Sequence, residues 1–267
     1  MSIDYGDRAR IGLLIPSGNS VAEPEIHAML PAGVVALVTR LALTGSTEPE
    51  LEAMLGALEP ASRLLADARP GLIGFHCTAV STFAPERAGS IRARIEAASG
   101  LPACSTADGI LAALALLGVR RLVLVTPYIA PVHAREVAWL GAHGVEVAGG
   151  SCLGVNTNGE MARIPPATIA EQARAAIRAA LGAEACFISC TAIRSAGLIA
   201  GLEAELGLPV ITSNQVMAWH ALRQMEISDA VAGYGRLMAA QRLVAAAEGR
   251  IIAPAAGAKP VLGETIR

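Results

Sequence analysis

The chain alternates short apolar runs with longer stretches of helical periodicity. Eight runs, at residues 11–15, 34–43, 72–75, 103–105, 121–126, 145–151, 185–189 and 210–212, are rich in Val, Ile and Leu and bounded by Gly or Pro. They read as strands. Between them, apolar residues recur at helical spacing over 23–30, 48–68, 85–98, 107–117, 131–143, 166–181, 194–206 and 214–225. Thr106 with Asp108, and Ser213 with Asn214, supply capping signals at two of these starts, while Pro131 and Pro166 suit first helical turns. Unbroken apolar strands separated by helices predict βαβ units and parallel sheets covered on both faces. A last helix, at about 229–248, is expected to cross back over the first half.

The pattern repeats. Cys77 and Cys190 each end a strand and open the same Cys-Thr-Ala tripeptide, 113 residues apart. Pro16 and Pro127 close earlier runs and lie 111 apart; Pro102 and Pro209 open later ones and lie 107 apart. One offset shared by three landmarks in the same order points to two similar halves. Residues 1–107 with 220–250 are predicted to form the first α/β half and 108–219 the second. Residues 251–267 are expected to be a mobile C-terminal tail.

Composition narrows the function. Of 267 residues, 53% are hydrophobic and 16% charged, which excludes a disordered chain. A net charge of −2 gives no electrostatic reason to bind nucleic acid. No apolar stretch is long enough for a membrane span, and the acidic N-terminus does not read as a signal peptide, so a cytoplasmic location is expected. There thiols stay reduced. Five cysteines without a CxxC pair predict no disulfide framework and no metal site. The Ala- and Leu-rich helices at 107–117 and 229–248 offer apolar faces beyond the needs of one core, so a homodimer or higher homo-oligomer is expected.

In open parallel sheets, ligands bind beyond the carboxyl ends of the strands. That rule gathers Ser17-Gly18-Asn19, His76-Cys77-Thr78-Ala79, Thr126-Pro127-Tyr128 and Ser189-Cys190-Thr191, with Asn156 and Asn158 able to close over the top. A thiolate is both nucleophile and base, and Cys77 and Cys190 each lead into a helix N-terminus whose N–H groups favour an anion. Those N–H groups, with Thr78, Thr191 and Tyr128, form donor sets for a substrate carboxylate or its enediolate. Strand neighbours point to opposite sides, so His76 is not expected to pair with Cys77. No phosphate-binding glycine motif closes a strand. The residues thus describe a two-thiol enzyme of a small carboxylate that needs no cofactor.

The motifs resemble a known family. Residues 11–19 with Glu23, His76-Cys77-Thr78-Ala79, Thr126-Pro127-Tyr128, residues 188–194 and Thr212-Ser213-Asn214-Gln215 with Trp219 are similar, in order, to the maleate isomerase and arylmalonate decarboxylase branch of the aspartate/glutamate racemase superfamily. The resemblance spans roughly residues 10–245 and implies two pseudo-symmetric Rossmann-like halves with the active site in the cleft between them. It further implies a small dicarboxylate or amino-acid-derived substrate, with neither metal nor organic cofactor. By the same resemblance Cys77 attacks the alkene of maleate to give a covalent thioether, and Cys190 handles the proton. Asn19, Tyr128 and an Asn of the 156–158 segment would hold the carboxylates, with Ser17, Thr78, Ala79 and Thr191 completing the substrate site. Having both cysteines favours isomerase or racemase chemistry over decarboxylation of a malonate. Two alternatives stay open: a racemase working by two-base proton transfer, as in ectoine-utilisation relatives, and a two-lobed binding protein without turnover.

Overall fold

Eight parallel strands form where the apolar runs predict them. The computed structural model describes residues 3–45, 47–82 and 85–240. The first half runs β1 (Ala9–Pro16), α1 (Ala22–Ala28), β2 (Val34–Leu41), α2 (Glu48–Leu55), α3 (Leu58–Ala66), β3 (Leu72–Phe75), α4 (Thr78–Ser81), α5 (Pro85–Ser99), β4 (Ala103–Ser105) and α6 (Thr106–Leu117). The second runs β5 (Arg121–Tyr128), α7 (Ala130–Ala142), β6 (Glu146–Val155), α8 (Asn158–Met161), α9 (Pro166–Ala179), β7 (Ala185–Ile188), α10 (Ile199–Leu206), β8 (Val210–Thr212), α11 (Ser213–Gln224) and α12 (Gly235–Ala239).

The two sheets have the same order, β2-β1-β3-β4 and β6-β5-β7-β8, and every pairing is parallel. In each, the order reverses between the first and third strands of the half. That switch point opens a crevice at the carboxyl ends of β1 and β3, and another at those of β5 and β7. The inner strands β1, β3, β5 and β7 are buried on both faces. Along β1, Ile11, Leu13 and Ile15 face one core cluster while Leu14 faces the other, as the two-residue period of a strand requires.

The halves meet along α6 and α11. Capping boxes fix both starts: Ser105 accepts from Asp108 N–H at 3.2 Å, and Thr212 from Gln215 N–H at 3.2 Å. Gly109 of α6 lies against the α11 backbone, where an added Cβ would stand 2.9 Å from the Val216 carbonyl oxygen. Backbone cannot yield as a side-chain tip can. Gly109→Ala is therefore expected to force the pair apart and cost about 1–3 kcal/mol, read as a lowered midpoint in chemical unfolding.

Three predicted elements differ. The helix expected over 48–68 breaks at Gly56 and Ala57 into α2 and α3. The helix expected at 194–206 begins as a 3₁₀ turn, Ala196–Leu198, because the Glu25 carboxylate accepts the Ser195 and Ala196 N–H groups at 2.6 and 2.9 Å. In the predicted 229–248 helix, only α12 is helical among the described residues. Gly233 and Gly235 turn at φ 88° and 74°, and side chains of α11 take the carbonyls instead, Gln215 to Tyr234 at 2.6 Å and Arg223 to Ala240 at 2.7 Å. Its remainder and the expected tail lie outside the described residues.

Candidate active site

The carboxyl ends of β1, β3, β5 and β7 converge on one small cavity. Pro16, Leu43, Gly45, Leu51, Cys77, Thr78 and Ala79 line it from the first half, and Tyr128, Asn158, Met161, Cys190 and Thr191 from the second. Its volume of about 10 Å³ is roughly the space one water needs. Among the described residues no Lys or Arg lines it, so a carboxylate there would meet neutral donors from these side chains.

Cys77 is the N-cap of α4; its sulfur takes no cap hydrogen bond, but the nearby Ala79 and Val80 N–H groups favour its anion. Burial pushes its thiol up to about 12, against the pull of those two donors. Cys190 follows β7 with φ 147°, a backbone conformation that L side chains rarely adopt. Its N–H donates to Ser213 Oγ at 3.0 Å, and its sulfur accepts from Ala192 N–H at 3.2 Å. Burial likewise pushes this thiol up to about 12, while Ala192 N–H and the Tyr128 hydroxyl favour the anion. The same burial, with the nearby thiols and Glu136, holds Tyr128 well above the usual phenol range, so it stays a donor. Only glycine is at ease at the Cys190 backbone. Cys190→Gly is therefore expected to be more stable than Cys190→Ala by about 1 kcal/mol in thermal melts, the reverse of the usual order.

Tyr128 reaches the cavity through an irregularity. Pro127 lacks an N–H, and the β5–β6 register slips between Thr126 and Tyr128. Asn158 is held at the start of α8 by its N–H on Thr44 O at 2.9 Å and its Nδ2 on Leu43 O at 3.2 Å.

The other sequence-predicted residues sit elsewhere. Asn19 is buried behind the cavity wall: its Oδ1 accepts the Val21 and Ala22 N–H groups, and its Nδ2 donates to Thr191 Oγ1 at 2.9 Å. It thereby sets the Thr191 hydroxyl, whose own hydrogen is left for the cavity. Ser17 is exposed and exchanges hydrogen bonds with the Leu43 backbone. Asn156 is half-buried and is not among the lining residues.

Behind the thiols runs a buried polar layer. His76 is fully buried, with Nδ1 3.0 Å from Thr106 Oγ1 and Nε2 2.8 Å from Asn214 Oδ1. Asn214 passes the chain on to Glu25 Oε2 at 2.6 Å. Burial lowers His76 to about 4, so it is neutral and structural. On the other side, Ser189 donates to Glu136 Oε1 at 2.6 Å. Glu25 and Glu136 lie 111 residues apart, as Pro16 and Pro127 do. That shared separation is the sequence signal that would have found Glu136. Among the described residues, no group of three or more His, Cys, Asp or Glu side chains is placed to hold a metal ion, and no helix is long and apolar enough to cross a membrane.

Comparison with known proteins identifies the family. The family model described as arylmalonate decarboxylase matches residues 11–238. The chain belongs to the arylmalonate decarboxylase family. Within the family it is 34% identical to a maleate isomerase of Nocardia farcinica over 242 residues, 86% of this chain and 95% of that one. It is 29% identical to an arylmalonate decarboxylase of Bordetella bronchiseptica over 233 residues, 85% and 95% of the two chains. Among solved structures it matches a mutant arylmalonate decarboxylase in liganded form at TM-score 0.80 and 27% identity, covering 86% and 98%. It also matches a cysteine-to-serine mutant of the N. farcinica maleate cis–trans isomerase at TM-score 0.79 and 26% identity, with the same coverage. That mutant carries a covalently bound succinylcysteine intermediate. The family fold is the one described above, two parallel four-stranded sheets flanked by helices. This places the chain, an enzyme, in the maleate isomerase and arylmalonate decarboxylase branch of the aspartate/glutamate racemase superfamily.

Proposed function

We propose that this enzyme isomerises maleate to fumarate through a thioether on Cys77. The observation that carries the reading is that both thiols, one from each half, line one small cavity. The Cys77 thiolate, its proton released to solvent before the cycle begins, adds to one alkene carbon, forming an S–C bond, and the π pair moves onto the neighbouring carbon and into its carboxylate as an enediolate. Cys190 gives that carbon its S–H proton. Rotation about the resulting C–C single bond follows. The Cys190 thiolate then takes the proton back, the double bond re-forms, and the S–C bond breaks with its electron pair returning to Cys77. The N–H groups of Ala79 and Val80 offset the cost of ionising Cys77 in a buried site. Asn158, the Thr191 hydroxyl and Tyr128 hold the two carboxylates, with Asn19 acting through Thr191. The succinylcysteine in the N. farcinica enzyme supports the first step.

The test is proton NMR of the reduced protein with maleate in heavy water. Appearance of the fumarate singlet supports the reading; an unchanged spectrum removes it. A second reading, release of carbon dioxide from an arylmalonate, is favoured by the family model and by the B. bronchiseptica relative. Against it stands the second thiol, which protonation of an enediolate by Cys190 alone would leave without a task. Racemisation by proton transfer between the two thiols would instead place solvent deuterium at a substrate α-carbon.

A further inference from the structure

Glu136 is a carboxyl group buried against Ser189, the residue before Cys190, with a single hydrogen-bond partner among the described residues. It stands on α7 and is 1% exposed. Oε1 accepts the Ser189 hydroxyl at 2.6 Å, and Oε2 has no hydrogen-bond partner among the described residues. Its counterpart in the repeat, Glu25, is held differently, by the Ser195 and Ala196 N–H groups and by Asn214 Nδ2. Those donors can serve only an acceptor oxygen. A single serine hydroxyl can donate to a carboxylate or accept from a carboxylic acid, so Glu136 is free to exist in either form.

The titratable groups around it belong to the reaction centre. Tyr128, at the end of β5, and Cys190, which follows Ser189 after β7, lie within reach of its charge. On its own helix His133 lies one turn earlier and bonds Thr126 Oγ1 at 3.0 Å instead. Two negative charges in one buried pocket disfavour each other, so an ionised Glu136 opposes the Cys190 thiolate.

We propose that Glu136 is a positioning residue that keeps Cys190 in its thiol form, ready to donate a proton, by placing a carboxylate behind it. The proposal rests on the isomerase reading, in which Cys190 gives a proton to carbon and recovers it. Once the S–H proton has gone to carbon, the carboxylate raises the energy of the thiolate left behind and favours its return.

The reporter is the Cys77→Ser protein, in which Cys190 is the thiol that remains in the cavity. The pH dependence of Cys190 alkylation by iodoacetamide is followed by peptide mass spectrometry, with and without Glu136→Gln. The midpoint is expected to fall by about one pH unit in Glu136→Gln. In the enzyme with both cysteines, the same substitution is expected to lower kcat roughly ten-fold with KM nearly unchanged. An unmoved midpoint in a folded Glu136→Gln protein overturns the proposal, because a merely structural role would leave it in place. If Glu136→Gln does not fold, infrared spectroscopy of the Cys77→Ser protein decides. The buried carboxyl band must vanish at a pH below that at which Cys190 alkylates, and a band persisting beyond it overturns the proposal. Neither readout needs substrate. A lowered midpoint in a protein inert toward maleate would keep the coupling and reject the isomerase reading. Turnover of maleate with an unmoved midpoint would do the reverse.

Discussion

Cys77→Ser and Cys190→Ser are each expected to lower kcat/KM for the isomerisation by about a thousand-fold or more, for different reasons. Serine at 77 is a far weaker nucleophile whose alkoxide the two N–H groups at the start of α4 cannot supply near neutral pH, so no adduct forms. Serine at 190 leaves the nucleophile intact and removes the proton carrier, so addition outruns completion of the cycle. Intact-protein mass spectrometry separates the two. Cys190→Ser treated with maleate should gain the mass of one maleate on Cys77, and Cys77→Ser should gain nothing. The double variant should be little worse than Cys77→Ser, because steps that depend on one another are not additive. Near-normal turnover by Cys190→Ser would end the two-thiol mechanism.

Much of this architecture could be read from the chain, for a physical reason. Strands buried on both faces are continuous apolar runs, so residues 11–15, 72–75, 121–126 and 185–189 all announce themselves locally. The rule for parallel sheets then brings Cys77, Tyr128 and Cys190 to one place without tertiary information. What stayed hidden depends on where a side chain turns after the strand ends. Asn19 has the right position and type for a substrate contact, yet a short amide beside a helix start takes the nearest N–H groups, here those of Val21 and Ala22. Leu43, Leu51 and Met161 line the cavity from segments whose apolar character is equally suited to a core. Glu136 sits in a helix whose polar positions look solvent-facing in sequence, and the packing of α7 against β5 and β6, with the Ser189 bond, buries it. The break at Gly56 escaped notice because the flanking residues keep helical spacing on either side.

Glu136→Gln is also expected to change how stability depends on pH. Burial raises the Glu136 carboxyl from the ordinary 4.5 to about 7, so the folded protein holds this proton more tightly than the unfolded chain does. The stability this contributes is fully present below about pH 4.5 and is lost as pH rises through 7. Above neutrality the buried carboxylate then costs on the order of 3 kcal/mol, which the isosteric amide avoids. His76 has the opposite sign. Its folded value of about 4 lies below the ordinary 6.5, so its contribution is present above 6.5 and lost as pH falls toward 4. In the unsubstituted protein these two slopes offset each other between about 4.5 and 6.5. Removing Glu136 leaves the His76 slope without that offset. Urea unfolding of both proteins at pH 5 and pH 8 checks this: Glu136→Gln should gain stability relative to the unsubstituted protein on going from pH 5 to pH 8. Glu25 is present in both and cancels in the difference. A difference that does not change with pH would mean that Glu136 keeps one protonation state throughout, and the expectation would fail.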